Sequence, residues 1–240
     1  MPVSASPALA KAHFALGWFE RPWLVAALLV AASGCSGRFT WLNSESTHQH
    51  LLTLKSSSNA DDRRAAFGAL GQPGRYRADP GRQQQIVEIL RLGLEREQDS
   101  LVRITIVHSL GSLGGEQAQA ALVGGLEDGD PAVRAEICRT LGKLGDVAAS
   151  EPLGTAVTSD TSLDVRLAAA EGLGHLPSGN SAKALLAALN DKDPAVRYRA
   201  GRSLRAITGK DYGTDSNAWN TYLSGLTDDA FARRRFFGLF

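Results

Sequence analysis

Apolar residues recur along the middle of the chain with the spacing of one face of an α-helix. Val133, Ile137, Leu141 and Leu144 stand at positions i, i+4, i+8 and i+11, which places all four on one side of a helix. The same spacing returns in two later stretches: Val165, Ala169, Leu173 and Leu176, then Val196, Ala200, Leu204 and Ile207. Each stretch predicts a helix with one buried face, too short to be stable in isolation.

These helices belong to an internal repeat. The segment DPAVR occurs at Asp130–Arg134 and again at Asp193–Arg197. Four arginines stand 31, 32 and 31 residues apart, at Arg103, Arg134, Arg166 and Arg197. Each is followed seven residues later by a leucine. A divergent copy begins at Arg63, and shorter apolar pairs precede the arginines: Leu122 and Leu126, Leu153 and Val157, Leu185 and Leu189. Self-similarity at this period predicts an all-α fold, an α-solenoid of about five helix pairs over residues 47–209, opened by a half repeat at His48–Lys55.

The ends of the predicted helices carry matching signals. Asp130 and Asp193 each precede a proline, and we expect both aspartates to accept hydrogen bonds from the first free helix amides. Gly145 and Gly209 follow the last apolar residues and are expected to end their helices in the left-handed conformation.

The segment DPAVR, followed by endings such as RTLGKLG and EGLGHL, resembles HEAT repeats of the short type also found in phycobilisome lyases. In that family the arginine after the valine bonds across the seam between repeats. The resemblance therefore implies a structural role for Arg103, Arg134, Arg166 and Arg197. Their expected partners are Asp99, Asp130 and Asp193, or loop carbonyls. The alternative is a row of arginines that binds an anionic ligand.

The N-terminal region predicts an export signal. Trp23–Ala32 reads WLVAALLVAA, too short to span a membrane, and basic residues precede it. Ala32-Ser33-Gly34-Cys35 resembles the lipobox of bacterial lipoprotein precursors. The resemblance implies a signal peptide over 1–34, lipid attachment at Cys35, and a tether over 35–46. Ser36 slightly favours the outer membrane by family habit. An ordinary cleaved signal and an uncleaved anchor are the alternatives.

The C-terminal region predicts a cap on the solenoid over residues 210–228. Asp215 is placed to cap a helix in which Trp219, Tyr222 and Leu223 point one way, although Asp211, Asp215 and Asn217 resemble an incomplete calcium loop. The tail over 229–240, which includes FARRRFFGLF, is basic and aromatic. It could contact an anionic bilayer, pack back on the cap, or do neither.

Composition adds little chemistry. The chain has 26 Lys and Arg residues against 25 Asp and Glu residues, a net charge of +1, which is not the basic excess typical of a nucleic-acid-binding protein. If Cys35 carries lipid, Cys138 has no disulfide partner, and its apolar setting predicts a buried, inert thiol. His48 and His50 do not face each other on a helix, so no metal site is expected there. His108 and His175 lie on repeat helices without a nucleophile to pair with.

These observations predict a non-enzymatic, monomeric scaffold without cofactor or metal. It would be anchored by lipid in the bacterial cell envelope, facing the periplasm, and would bind a protein partner. The alternative from the family resemblance is a bilin lyase or isomerase, and a third possibility is an envelope protein that stacks on itself. The expected surface positions of the shorter helix in each unit are too bland to name binding residues: Gln117, Ala120, Val123, Ser150, Thr155, Lys183 and Ala187.

Overall fold

A computed structural model of the protein describes residues 45–76, 79–226 and 231. Helices follow one another through these residues: α1 Glu45–Ser56, α2 Ala60–Leu70, α3 Pro80–Arg96, α4 Ser100–Leu113, α5 Glu116–Gly124, α6 Pro131–Leu144, α7 Ser150–Ser159, α8 Leu163–Leu173, α9 Gly179–Ala188, α10 Pro194–Thr208 and α11 Ser216–Ser224. Short 3-10 turns lie at Pro73–Arg75, Gly125–Glu127 and Val147–Ala149. None of the helices in this part of the chain combines the length and apolar character needed to cross a membrane.

The helices are arranged as stacked pairs in two layers. Consecutive helices pack as α1–α2, α3–α4, α5–α6, α7–α8 and α9–α10. The even-numbered helices from α2 to α10 also contact one another in sequence, and on the other side α3 contacts α5 and α7 contacts α9. The predicted all-α solenoid of about five helix pairs is therefore confirmed, and we call the two sides the even-helix layer and the odd-helix layer.

The core of the solenoid is formed by the apolar stripes that the sequence predicts. Eleven of the twelve stripe residues are fully buried, and Leu144 is half-buried. The shorter helices contribute Leu122, Leu153 and Leu185, each with no exposed surface. Burial of such side chains contributes about 1.5–3 kcal/mol each. Because every pair leaves an apolar side for its neighbour, stability depends on stacking.

The predicted helix boundaries match the backbone closely. Asp130 and Asp193 accept the amides of Ala132 and Ala195, each at 2.8 Å. Gly145 and Gly209 end α6 and α10 with φ values of 73° and 69°, in the left-handed region. These caps fix the start and end of the helices whose N-terminal turns carry the repeat arginines.

Glycines allow the closest approach within the even-helix layer, between α6 and α8. A methyl group placed on Gly142 would lie 2.5 Å from the Cα atom of Gly172. One placed on Gly172 would lie 2.7 Å from the carbonyl oxygen of Cys138. Both distances are far below van der Waals contact, so this seam is packed backbone against backbone.

The first repeat differs from the prediction. Helix α1 begins at Glu45, two residues before the predicted start of the solenoid, and it packs against α2, so the helix over His48–Lys55 starts the stack. The extra residues before Arg103 form the connection after α2 and the long helix α3.

Several sequence predictions lie outside the described residues. These are the signal peptide, Cys35, the tether up to residue 44, the end of the cap region and the tail apart from Phe231. Phe231 is buried in the core at 5% exposure.

Candidate functional site: an arginine ladder and its open end

The repeat arginines form one continuous feature, the arginine ladder, defined by Arg63, Arg103, Arg134, Arg166 and Arg197. Arg134 shows the geometry. Its Nε and Nη2 donate to the two carboxylate oxygens of Asp160 at 2.8 and 2.9 Å. Its Nη1 donates to the carbonyl of Asp128 at 2.7 Å. The guanidinium therefore ties the loop before its own helix to the loop of the next repeat.

Four rungs of the ladder repeat this paired geometry with one carboxylate each. The pairs are Arg63–Glu97, Arg103–Asp128, Arg134–Asp160 and Arg166–Asp191. In each pair the carboxylate also accepts the backbone amide two residues later, as Asp160 does from Ser162 at 2.8 Å. Each acid thus stabilises a loop and a neighbouring arginine at the same time.

The carboxylate partners expected from the sequence are wrong. Asp99, Asp130 and Asp193 direct their side chains to the first amides of their own helices. The carboxylate that meets the arginine lies two residues earlier in each loop. The N-cap side chain is used at the start of its own helix, whereas the acid two residues before it contacts the arginine of the previous repeat. The expected loop carbonyls do accept from the arginines.

The ladder pairs are shielded from water. Arg166 and Asp191 retain 5% and 10% side-chain exposure. Hydrogen bonding from Arg134 holds the pKa of Asp160 below its usual value, against the opposing effect of burial. Burial by itself raises the pKa of Asp191, but its bonds to the Asp193 amide and to Arg166 outweigh that effect and lower it. These acids are therefore charged near neutral pH, and each rung is an ion pair.

The last rung is incomplete. Arg197 donates from Nη1 to the carbonyls of Asp191 and Lys192 at 2.8 and 3.1 Å, the same anchoring as in the other rungs. Among the described residues no carboxylate meets its Nε and Nη2. At the opposite end of the ladder the acid position is held by Ser57, whose hydroxyl accepts the amide of Asn59 at 3.1 Å. Within the part of the chain that the structure describes, the ladder therefore ends in an open guanidinium edge on one side and a serine on the other.

The even-helix layer carries exposed apolar side chains that sequence reasoning missed. Leu101 is 59% exposed, Leu163 37% and Tyr198 62%. All three lie in the first half of their helices, near the ladder arginines. Of these three residues, Tyr198 alone directly follows a repeat arginine, and the equivalent positions hold Ile104, Ala135 and Leu167. The face most suited to a partner is therefore formed by the even-helix layer.

On the odd-helix layer, one expected surface residue is corrected. Ser150 is buried, because its hydroxyl bonds to Ser178 and Ser181, both at 2.9 Å, across the seam between α7 and α9. The remaining expected positions are exposed, with Val123 half-buried: Gln117, Ala120, Thr155, Lys183 and Ala187. A groove of about 860 Å³ lies between α3 and α5, lined by glutamines, Glu88 and Arg91.

The C-terminal helix α11 closes the stack against α9. Asp215 accepts the amides of Asn217 and Ala218, both at 3.0 Å, as the N-cap of α11. Trp219 is fully buried and donates from its indole nitrogen to the carbonyl of Gly213 at 3.0 Å. Asp215 thus acts in helix capping, and in residues 45–76 and 79–226 no cluster of three potential metal-binding side chains is found.

The remaining candidate reactive groups Cys138 and His108 are engaged in packing and in hydrogen bonding. Cys138 is fully buried, and burial raises the pKa of its thiol to about 12, which matches the expected inert side chain. His108 contacts Glu136 of the next repeat at 2.9 Å, and Glu136 also binds Arg139 at 2.9 Å. His108 therefore belongs to an exposed contact between α4 and α6.

Comparison with protein families identifies the repeat. The family model for HEAT repeats matches residues 87–174 and 150–235. The chain belongs to the HEAT-repeat family. Its ladder, caps and paired helices are the features of HEAT units in this sequence, as the resemblance of the DPAVR segments implied. No curated protein matches this HEAT-repeat chain significantly in sequence.

Solved structures show a similar fold. The complex of CpcE and CpcF of phycocyanin lyase from Nostoc is 22% identical with a TM-score of 0.51, covering 73% of this chain and 67% of that one. Human deoxyhypusine hydroxylase in complex with glycerol is 24% identical with a TM-score of 0.49, covering 68% of this chain and 74% of that one. The likeness to the CpcE and CpcF complex, at 22% identity, shows the helical fold alone.

Proposed function

We propose that this HEAT-repeat protein is a non-enzymatic scaffold that is tethered by an acylated Cys35 in the bacterial cell envelope and binds a protein partner. The observation that carries the proposal is the even-helix face, where Leu101 on α4, Leu163 on α8 and Tyr198 on α10 are exposed. Exposed apolar and aromatic side chains on a rigid scaffold are typical of protein interfaces.

The chemistry of the described residues supports binding rather than catalysis. Cys138 is buried with a raised pKa, so its thiol is a poor nucleophile. Four ladder arginines are fully used in holding repeats together. The charged side chains between repeats therefore hold the solenoid rigid. The rigid solenoid presents the even-helix face in a fixed geometry.

The tether is tested by the fate of Cys35. The full chain and a Cys35→Ser variant are expressed in a bacterium with a lipoprotein pathway, and the products are analysed by fractionation and mass spectrometry. We expect the unaltered chain in the membrane fraction, beginning at an acylated Cys35, and we expect the variant to lose the lipid. An unmodified chain that keeps residues 1–34 in the cytosol would remove the envelope part of the proposal.

The partner-binding face is tested by affinity capture from native membranes. A Leu101→Ser, Tyr198→Ala double variant is compared with the unaltered protein and with Thr155→Ala, Lys183→Ala, a control on the odd-helix layer. We expect the double variant to lose a protein that the control retains. Equal capture by both variants would contradict binding through the even-helix face. Retention of a linear tetrapyrrole by the purified protein would instead favour the bilin lyase or isomerase.

A further inference from the structure

We infer that the open edge of Arg197 binds an aspartate or glutamate carboxylate supplied by the protein partner, next to Tyr198 and Arg202. The inference deepens the proposed scaffold function, on which it rests, by naming the chemistry of the partner. Arg197 is held by two loop carbonyls in the position that its equivalents occupy, and its Nε and Nη2 meet no carboxylate among the described residues.

The occupied rungs show which ligand fits this edge. In all four, Nε and Nη2 donate in parallel to the two oxygens of one carboxylate, for example at 2.7 and 2.9 Å between Arg103 and Asp128. Each carboxylate lies two residues before a helix N-cap and also accepts an amide there. A planar guanidinium matches a carboxylate in this two-point geometry, which an ammonium group does not. The expected ligand is therefore an acidic residue at the start of a helix.

The surroundings of Arg197 favour an acidic partner segment over a single neutralising ion. Helix α10 carries four arginines and no acidic residue. Arg199 and Arg205 bind Glu171 and Asp211 at 3.3 and 3.0 Å. Arg202 is exposed one turn after Tyr198, and among the described residues it has no ion-pair partner. Two unneutralised arginines beside an exposed tyrosine form a basic, aromatic surface of the kind enriched at interface hot spots.

A second copy of the chain is a poor occupant. In a head-to-tail stack the open arginine of one copy would meet the acid position of the first repeat of the next copy. That position holds Ser57, whose hydroxyl already contacts the amide of Asn59 and Asp62. A serine cannot supply the two-point anionic partner that the four internal rungs use.

The test follows the Nε–H signal of Arg197 by nuclear magnetic resonance in the full chain, assigned with an Arg197→Gln variant. The probe is a peptide that copies Leu185–Val196 (LLAALNDKDPAV) and carries the ladder acid Asp191 before its N-cap. A matched peptide has that acid changed to asparagine. We expect the acidic peptide to shift the Arg197 signal and to protect it from exchange, because weak binding in the range of about 1 mM is detectable in this way.

Variants of Arg197 distinguish binding through the two-point geometry of the guanidinium from binding through positive charge alone. Arg197→Gln and Arg197→Lys are both expected to weaken the peptide about tenfold or more, since the lysine keeps the charge and loses the two-point geometry. Arg64→Gln, an exposed arginine on α2, is the control and should change nothing. No shift of the Arg197 signal at about 5 mM peptide, or an equal response to the asparagine peptide, overturns the inference.

The chain's own acids provide another decisive outcome. Asp228 and Asp229 follow α11 in the sequence. If the Arg197 signal is already protected in the free protein, and an Asp228→Asn, Asp229→Asn variant abolishes that protection, the edge is filled within the chain and the inference is wrong. The scaffold proposal fails separately, through the capture experiment with the Leu101 and Tyr198 variants, so the two failures are distinguishable.

Discussion

Replacement of Arg134 by alanine should destabilise the whole solenoid. The substitution removes two hydrogen bonds to Asp160, at 2.8 and 2.9 Å, and one to the carbonyl of Asp128 at 2.7 Å. It leaves the Asp160 carboxylate, which is 11% exposed, with the amide of Ser162 as its remaining hydrogen-bond donor among the described residues. Breaking one side of a largely buried ion pair costs about 3–5 kcal/mol. The expected loss is therefore a large part of the stability of a typical domain.

The assay is urea unfolding at neutral pH, followed by the helical circular dichroism signal. Two control variants grade the expected effect. Arg64→Ala breaks an exposed ion pair with Asp61, for which about 0–1 kcal/mol is expected. Arg197→Ala removes carbonyl contacts without leaving a buried acid among the described residues, so it should fall between the other two. The unfolding midpoint should be highest for Arg64→Ala, lower for Arg197→Ala and lowest for Arg134→Ala.

A double-mutant cycle tests the cause of the effect. If Arg134→Ala acts by stranding a carboxylate, adding Asp160→Ala should recover a substantial part of the loss, with a coupling energy of about 0.5–3 kcal/mol. An Arg134→Ala variant with the midpoint of Arg64→Ala would refute the reasoning. Additive single effects would show that the pair is not coupled.

Three further predictions concern other parts of the solenoid. Gly142→Ala should lower the melting temperature, because the new methyl group would meet the Gly172 backbone at 2.5 Å. This loss is expected even though alanine favours helices over glycine by about 1 kcal/mol. The control Gly124→Ala, which has open space around it, should not lower the melting temperature. Trp219→Ala should cost about 3–5 kcal/mol and expose the C-terminal helix to limited proteolysis, whereas cleavage at the unaltered rate would contradict its role in closing the stack. The pKa of Asp160 is lower in the folded state than in the unfolded state, where it is about 4. The ion pair of Asp160 therefore stabilises the fold above that unfolded pKa, and this contribution is lost as the pH falls through the folded pKa. Asp160→Asn should flatten the acid side of a curve of stability against pH, and an unchanged acid side would contradict this.

The repeat architecture was predictable because stacking imposes the same demands on every unit. Val133, Ile137 and Leu141 are buried as their spacing requires, and Asp130 and Gly145 bound the helix as their chemistry requires. Local backbone rules and one hydrophobic period were sufficient, since each repeat contacts mainly its neighbours.

The partners of the ladder were less predictable because two acids often stand two residues apart in one loop. In the loop before α6, Asp128 and Asp130 are both candidates, and local composition does not say which meets an arginine. The loop before α8 contains the distinguishing signal, since its N-cap is Ser162 while the acid at Asp160 is retained. Comparing the four loops would have identified the acid before the cap as the arginine partner.

The exposed face was missed for a different reason. Sequence reasoning considered surface positions only on the shorter helices and named no binding residue there, whereas the exposure of Tyr198 depends on how the even-numbered helices are turned toward solvent. Ser150 was misplaced because its burial depends on a hydroxyl cluster across two repeats. Both features arise from contacts between units, which a helical period alone does not specify.

The glycine contact between α6 and α8 also determines where the array can flex. Two backbones in direct contact at Gly142 and Gly172 leave no side chain that could yield under compression, so this joint is stiff. The seam between α3 and α5, by contrast, borders an open groove of about 860 Å³ into which the helices can close. We therefore expect a load that alters the curvature of the array to be absorbed at the seam between α3 and α5 before the contact between α6 and α8 yields.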